Sequence, residues 1–162
     1  MQGAGAGATP DPGAPGLVDA VLAASQMMVA VAARSLDTAA ADVTLPQFRV
    51  LVMLSLRGAQ RPGDLAADLA VEPSTATRMC DRLVRKDLVS RTHSTQDRRT
   101  VVVELAPSGQ ELVSTVMHRR RREFERLATA VPAEQLDAVV SALGVLIEAS
   151  GSRPDRDWVL WA

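Results

Sequence analysis

The sequence predicts a mainly α fold of about six helices with one β-hairpin between the fourth and the fifth. Apolar residues recur at helical spacing through most of the chain, and Pro107 and Pro132 stand where prolines commonly open helices. The alternating stretch 99–105 is typical of a strand and closely follows a helix rich in Ser, Thr and Arg. Together these observations indicate a winged helix-turn-helix with helical extensions on both sides.

Composition limits the classes of protein that fit this chain. A length of 162 residues suits one domain, or a small domain with helical extensions. The net charge is −1, yet residues 71–105 hold seven basic and five acidic side chains, so positive charge is concentrated there. With two Trp, two Phe and no Tyr, the chain has little aromatic surface for stacking on single-stranded nucleic acid.

The sequence predicts neither a disulfide nor a membrane segment. Cys80 is the single cysteine, and its place on an apolar helix face favours core packing over a redox role. His93 and His118 are far apart in sequence, which argues against a metal site. The chain has no basic segment followed by an apolar one at its start, and no uninterrupted apolar run of 18 residues. We therefore expect a soluble, cytoplasmic protein without a cofactor.

The predicted organisation has five parts. Residues 1–16 read as a disordered arm, 17–43 as a dimerisation helix, 44–105 as the winged lobe, 106–149 as further dimerisation helices and 150–162 as a tail. The first helix, over 17–41, is apolar on most sides and must be buried, most simply against a second subunit. The last helix, from Pro132 to about Ala149, also has one face expected to be buried.

The middle of the lobe contains two short helices joined by a tight turn. Thr44 and Gln47 form the pattern of a capping box at the start of the second helix, which Gly58 ends near residue 57. A third helix over 63–69 and a fourth over 73–86 flank a turn at 71–72. The fourth helix has an apolar stripe at helical spacing, formed by Ala76, Met79, Cys80 and Leu83.

The opposite face of the fourth helix is the candidate DNA-reading surface. In a helix-turn-helix the second helix enters the major groove and its first residues touch base edges. Those residues here are Ser74, Thr75, Thr77 and Arg78. Short hydroxyls permit close approach, arginine reads guanine, and Arg82 and Arg85 lie further along, where phosphates are expected.

The hairpin supplies a second candidate contact. Strands are predicted over 88–92 and 99–105, with a polar tip between them. An arginine on this tip fits the minor groove, where the negative potential is strong, and Asp97 is placed to orient the guanidinium of Arg99. The predicted wing residues are Arg91, Asp97, Arg98 and Arg99.

At this point the chain resembles the MarR family of transcriptional regulators. The segments that carry the resemblance are 45–51 (LPQFRVL), 62–66 (PGDLA), 73–78 (PSTATR), 88–91 (LVSR) and Asp97-x-Arg99 with Leu105. The resemblance implies a homodimer held by the first, fifth and sixth helices, which binds a pseudo-palindromic duplex site. It also implies a repressor released by a small aromatic, phenolic or anionic effector, and it places Arg98 near phosphate.

Three positions depart from the family pattern. Ala106 replaces the Thr usual after the wing strand, Glu72 replaces a capping Ser, and Asp87 replaces a Gly at a helix end. The missing cap at residue 106 costs about 1 kcal/mol. An Asp in the left-handed conformation that a Gly normally adopts is also unfavourable.

Several features leave alternatives open. Arg119–Arg122 are either solvated charges paired with Glu123 and Glu125, or a site for an anionic effector or DNA. Trp158 and Trp161 either pack on the dimer or lie in a disordered end. A winged helix that binds proteins instead of DNA is the main rival function. An enzyme is disfavoured because no nucleophile–base pair, phosphate loop or carboxylate pair is visible.

Overall fold

The computed structural model describes residues 14–37, 42–93 and 100–151. Its elements in chain order are α1 (Ala14–Asp37), α2 (Leu45–Arg57), α3 (Pro62–Leu69), α4 (Pro73–Arg85), β1 (Val89–His93), β2 (Val101–Leu105), α5 (Pro107–Ala128), a 3₁₀ turn (Ala133–Gln135) and α6 (Leu136–Ala149). The predicted fold class is confirmed. The wing tip with Asp97, Arg98 and Arg99, the arm before Ala14 and the tail with Trp158 and Trp161 lie outside the described residues.

The start and the end of α2 have the predicted local structure. The Thr44 hydroxyl accepts the Gln47 N–H at 3.4 Å, and the Gln47 side chain accepts the Thr44 N–H at 3.2 Å. This reciprocal pair is the capping box. Gly58 ends the helix at a φ of 74°, and its N–H donates to the Leu54 carbonyl at 2.9 Å. A positive φ is inexpensive for glycine, so the helix ends here without strain.

Helices α3 and α4 form the helix-turn-helix. Leu65, Ala66 and Leu69 of α3 are buried, as predicted. The turn between the helices has Ala70 in the left-handed region at a φ of 54°, and the Val71 N–H donates to the Ala66 carbonyl at 3.0 Å. Left-handed alanine is uncommon, so the surrounding contacts must hold this turn.

The hairpin is antiparallel and anchored to the body of the lobe. Val89 pairs with Leu105, and Arg91 pairs with Val103. Strand β1 begins one residue later than predicted, and β2 begins two residues later. Gln60, which follows α2, forms a bridge with Val103, and its N–H donates to the Val103 carbonyl at 2.9 Å. This extra pairing fixes the root of the wing against α2.

One apolar core fills the lobe and extends into its neighbours. The core is formed by α2, α3, α4 and the hairpin, together with Leu36 of α1 and with Val113, Val116 and Met117 of α5. The last turn of α1 and the first half of α5 therefore complete the lobe. We call residues 43–105 the central lobe.

The start of α5 lies directly against the root of the wing. A Cβ added at Gly109 would lie 2.1 Å from the Leu88 carbonyl oxygen, so only glycine permits this approach. The Ala106 N–H donates to the same carbonyl at 3.1 Å, and the Ser108 hydroxyl donates to the Asp87 carbonyl. The end of α4, the start of β1 and the start of α5 thus form one connected backbone unit.

The three departures from the family pattern have the predicted local consequences. Glu72 and Ala106 precede α4 and α5 with extended backbones and form no side-chain cap. Asp87 lies in the left-handed region with a φ of 56°. Each position is therefore a place where a small substitution would stabilise the protein.

In the single chain most of α1 and all of α6 stay exposed, so the predicted burial of these helices against a second subunit remains a prediction. Only the last turns of α1 are buried, and Leu22 and Val29 remain 56% and 60% exposed. No residue of α6 is buried, because its substantial contacts within the described chain are limited to the 3₁₀ turn before it. We call α6 and residues 16–30 of α1 the outer helices. They present a large unpartnered apolar surface.

Two helix boundaries also differ from the prediction. Helix α1 begins at Ala14, inside the segment expected to be a disordered arm. The stretch after Pro132 begins as a 3₁₀ turn at Ala133–Gln135, and α6 proper starts at Leu136. Ends of helices tighten in this way because their terminal groups lack partners for i to i+4 bonds.

Helix α1 has a high mean hydropathy, although the sequence contains no uninterrupted apolar run of 18 residues. Within the described residues, Gly16–Asp37 is long and apolar enough to span a membrane by length and composition alone. The bent pair of α5 and α6 passes the same test only if the two helices are counted as one span. Asp19 and Gln26 interrupt the apolar run of α1, but the mean hydropathy of the helix stays as high as that of a membrane-spanning helix.

Candidate nucleic-acid interface

Helix α4 is fixed in the central lobe by one apolar face. Ala76, Met79, Cys80 and Leu83 are all buried, as the predicted stripe requires. They recur at i, i+3, i+4 and i+7, so a single side of the helix enters the core. The rotation of α4 is thereby set, and the polar side is held toward solvent.

The outward side of α4 carries most of the predicted base-reading residues. Ser74, Thr77, Arg78, Arg82 and Arg85 are exposed, whereas Thr75 is half-buried. The Arg78 Nε donates to the Ser74 carbonyl at 3.2 Å, and its Nη2 lies 3.5 Å from the Thr75 hydroxyl. The Thr77 hydroxyl donates to the Pro73 carbonyl at 2.9 Å. The first turn of α4 therefore presents an ordered cationic and hydroxylated surface.

Arg91 joins the wing to α4. Its Nη2 lies 2.5 Å from Oδ1 of Asp81, and both side chains are partly exposed. Exposed ion pairs contribute only about 0–1 kcal/mol to stability. The pair matters more for electrostatics, because Asp81 partly neutralises an arginine that lies beside the polar face of α4.

The two strands lead toward the wing tip. His93 pairs with Val101 at the end of the described part of the hairpin, and both residues are exposed. The Ser90 hydroxyl donates to Oε1 of Glu104 across the strands at 3.2 Å. Asp97, Arg98 and Arg99 fall between the described ends of the hairpin, so their geometry is not part of the described structure.

Cys80 is a core residue, as predicted. Its side chain is fully buried on the core-facing side of α4. Burial raises the pKa of its thiol, and the nearby Arg91 only partly opposes this effect. The neutral thiol is therefore favoured, which makes Cys80 a small apolar side chain rather than a reactive thiolate. Among the residues that the structure describes, no His, Cys, Asp and Glu cluster could hold a metal ion.

A cavity of about 570 Å³ lies between the start of α2 and α4. Thr75, Met79 and Arg82 of α4 form one side, and Arg49 of α2 contributes a second guanidinium. Sequence reasoning missed Arg49, since its proximity to Arg82 depends on how α2 packs against α4.

The four consecutive arginines of α5 are divided among three environments. Arg120 is turned inward, with its guanidinium carbon 5.8 Å from the centre of the Phe48 ring, and burial lowers its pKa. Arg121 points outward and pairs with Glu125 at 2.9 Å. Arg119 and Arg122 line a second cavity. Arg121 is exposed and paired, as the alternative of solvated charges predicts, and Arg122 is exposed as well.

The fold and the polar face of α4 define a winged-helix protein of the DNA-binding class. A family model described as the MarR family matches residues 43–101. The uncharacterized HTH-type transcriptional regulator YfiV of Bacillus subtilis is 30% identical over 108 residues, which cover 67% of this chain and 68% of YfiV.

Two further relatives support the same assignment. The HTH-type transcriptional repressor MdtR of Bacillus subtilis is 33% identical over 94 residues, 58% of this chain and 61% of MdtR. The crystal structure of RV1404 from Mycobacterium tuberculosis has a TM-score of 0.80 and 34% identity, and the match covers 91% of this chain and 100% of that one. The chain belongs to the MarR family. It is a DNA-binding transcriptional regulator and not an enzyme.

Proposed function

We propose that this protein is a homodimeric repressor that binds a pseudo-palindromic duplex site through α4 and the wing. Ser74, Thr75, Thr77 and Arg78 read base edges in the major groove, and Arg82 contacts phosphate. Arg99, oriented by Asp97, enters the minor groove, while Arg91 and Arg98 contact the backbone.

One observation carries this proposal: the exposed polar face of α4 stands on a helix whose opposite face is locked in the core. A recognition helix must keep its shape when it enters a groove, because each base contact depends on angstrom-scale placement. The buried side chains of Met79, Cys80 and Leu83 provide that rigidity. Arg78 already lies along the first turn through its bond to the Ser74 carbonyl.

The outer helices support the homodimer. Val140 and Val145 of α6 are 69% and 63% exposed in the single chain, and Leu22 and Val29 of α1 are 56% and 60% exposed. An apolar helix face of this extent is rarely left in water by a soluble protein. A second copy would cover both faces at once and place two α4 helices on one side of the dimer.

The regulatory role follows from the dimer. Two α4 helices fit successive major grooves only when they are about 34–36 Å apart. A small-molecule effector that alters this spacing would release the DNA, as expected for a cytoplasmic repressor. The similarity to MdtR, which is named a transcriptional repressor, supports repression over activation.

The deciding experiment is selection of bound duplexes from a random pool, followed by binding measurements at several salt concentrations. We expect enrichment of an inverted repeat and an affinity that falls steeply with salt, because arginine–phosphate contacts release counterions. Equal binding of all duplexes, or no binding at any salt concentration, would favour the protein-binding alternative. Sedimentation of the same sample tests whether the bound species is a dimer.

A further inference from the structure

The cavity of about 570 Å³ between α2 and α4 lies at one border of the polar face of α4. Arg49 of α2 and Arg82 of α4 both line this cavity, and both side chains are exposed. We propose that these two arginines together bind one phosphate of the DNA backbone, so that the DNA-binding surface continues from α4 onto α2. The proposal rests on the function proposed above and adds a contact that neither the helix-turn-helix nor the wing provides.

The cavity and the wing lie at opposite borders of the polar face of α4. Thr75 and Arg82 are seven residues apart, close to two helical turns, so they project from the same side of the helix. Asp81, which pairs with Arg91 of the wing, precedes Arg82 by one residue and is therefore turned by about 100° around the helix axis. Arg78 projects between these two borders, at the centre of the polar face.

A helix in the major groove has a sugar–phosphate strand on each side. The groove is about 12 Å wide and a helix with its side chains is about 10–12 Å across, so both borders of the helix approach phosphates. The wing supplies arginines at one border of α4, through Arg91. Arg49 and Arg82 are the cations placed to meet the strand at the other border. The two arginines therefore complete the contact with both walls of the groove.

The cavity has no acidic side chain in its lining. The other lining residues are the polar Thr44, Gln47 and Thr75 and an apolar floor of Leu45, Pro46, Leu69, Val71 and Met79. Among the residues that the structure describes, neither Arg49 nor Arg82 forms a salt bridge. A cleft with apolar walls and one sign of charge attracts the opposite charge more strongly than an open surface does. The floor also suits the apolar deoxyribose carbons on either side of a phosphate.

The position of Arg49 is fixed by its neighbours in sequence. Phe48 and Val50 are buried in the core, and the capping box of Thr44 and Gln47 holds the start of α2. Helix α2 packs against α4 in the same core, so the backbones that carry the two arginines are held relative to each other. Guanidinium groups bind phosphate through paired hydrogen bonds, and groups that are already in place lose less entropy when they bind.

The first test compares the salt dependence of duplex binding in the full-length protein and in Arg49→Gln. The probes are the inverted repeat selected from the random pool and its single-base variants. Arg49→Gln should weaken all of them by about tenfold or more, since a dimer loses two phosphate contacts, and the slope of log affinity against log salt should become shallower by about two. The order of preference among the duplexes should stay unchanged, because phosphate contacts carry no sequence information.

The second test locates the phosphate by replacing one phosphate at a time with a neutral methylphosphonate. In the parent, each replacement at a contacted phosphate should weaken binding. At one phosphate in each half-site this loss should disappear in Arg49→Gln, because the contact is already missing. The loss at the same phosphate should also be reduced in Arg82→Gln. If every methylphosphonate duplex loses as much affinity in Arg49→Gln as in the parent, or if the two variants point to different phosphates, the proposal is wrong.

Arg121→Gln is the matched control for Arg49→Gln. It removes the same charge from an exposed helix position outside the cavity. Equal losses of duplex affinity in the two variants would mean a general effect of net charge and would refute the site. Arg49 is exposed, so Arg49→Gln should unfold at the same temperature as the parent, and its loss of affinity then does not come from unfolding.

The same measurements separate this inference from the function on which it rests. If the parent binds the inverted repeat and Arg49→Gln binds it as tightly and with the same salt dependence, only the present inference fails. If the parent binds no duplex, the proposed function fails, and this inference fails with it.

Discussion

The central lobe buries its apolar side chains within the single chain, whereas the outer helices leave theirs exposed. In the lobe, the apolar faces of α2, α3, α4 and the hairpin close on one another, and α5 completes the core. In the outer helices, the apolar side chains of α6 and of residues 16–30 of α1 remain exposed in the single chain. The same 3.6-residue periodicity is present in both regions. Periodicity therefore predicts which face will be covered, but not whether the cover comes from the same chain.

The largest expected effect is a charge placed on the surface of α6. Val140→Glu should weaken the dimer by about 3–5 kcal/mol, since a carboxylate would be buried without a partner. Sedimentation equilibrium should show a shift toward monomer, and Ala67→Glu, at an exposed position of α3, is the control. An unchanged dimer in Val140→Glu would mean that a second copy does not cover this face.

A cavity created by substitution in the central lobe should lower the free energy of unfolding. Leu65 is fully buried, and Leu65→Ala should destabilise the protein by about 2–5 kcal/mol through lost packing. Leu45→Ala removes the same atoms from a side chain that is 37% exposed and should cost much less. Chemical unfolding at several protein concentrations measures both losses. Comparable costs for the two variants would contradict the closed core described for the lobe.

Substitution of Arg78 tests the outward face of α4 without disturbing its buried face. Arg78→Ala should weaken binding to the selected duplex by about 1–3 kcal/mol and relax the sequence preference at one position. Arg126→Ala, on α5, should leave duplex binding unchanged. Fluorescence anisotropy with the selected duplex and with single-base variants measures both effects. Full retention of affinity and preference by Arg78→Ala would remove Arg78 from the reading surface.

The smallest expected effect comes from restoring a helix cap. Ala106 has the extended backbone of an N-cap residue but no side-chain acceptor. Ala106→Ser should stabilise the protein by about 1 kcal/mol, because its hydroxyl can accept a free N–H in the first turn of α5. Thermal unfolding should show the gain, and Ala106→Val, which cannot cap, should not. Equal stability in the serine and parent proteins would mean that these N–H groups are already satisfied.

Local features of this fold were readable from sequence because their causes are local. The Thr44–Gln47 capping box, the end of α2 at Gly58 and the buried stripe of α4 depend on residues within a few positions of one another. The left-handed backbone of Asp87 was expected instead from the resemblance to the MarR family, in which a Gly is usual at this position. The shifted strand starts and the 3₁₀ turn before α6 are errors at element ends, where neighbouring geometries differ little in energy.

The sequence predicts a candidate site only where all the residues of the site lie on one helix. The polar face of α4 was evident, because its residues share a helical spacing. The cavity lined by Arg49 and Arg82 was not, since it depends on the packing of α2 against α4. The inward position of Arg120 over Phe48 was likewise hidden, although four arginines in a row already required that some point away from solvent.

The close approach at Gly109 gives α5 a mechanical property. Helix α5 is 22 residues long, or about 33 Å. Its first turn lies directly against the Leu88 backbone at Gly109, with no side chain between them. The bonds from Ala106 and Ser108 fasten the same turn to Leu88 and Asp87. The point at which α5 is held therefore lies at its first turn, beside the root of the hairpin. A tilt of α5 would therefore be transmitted directly to the end of α4 and to the start of β1.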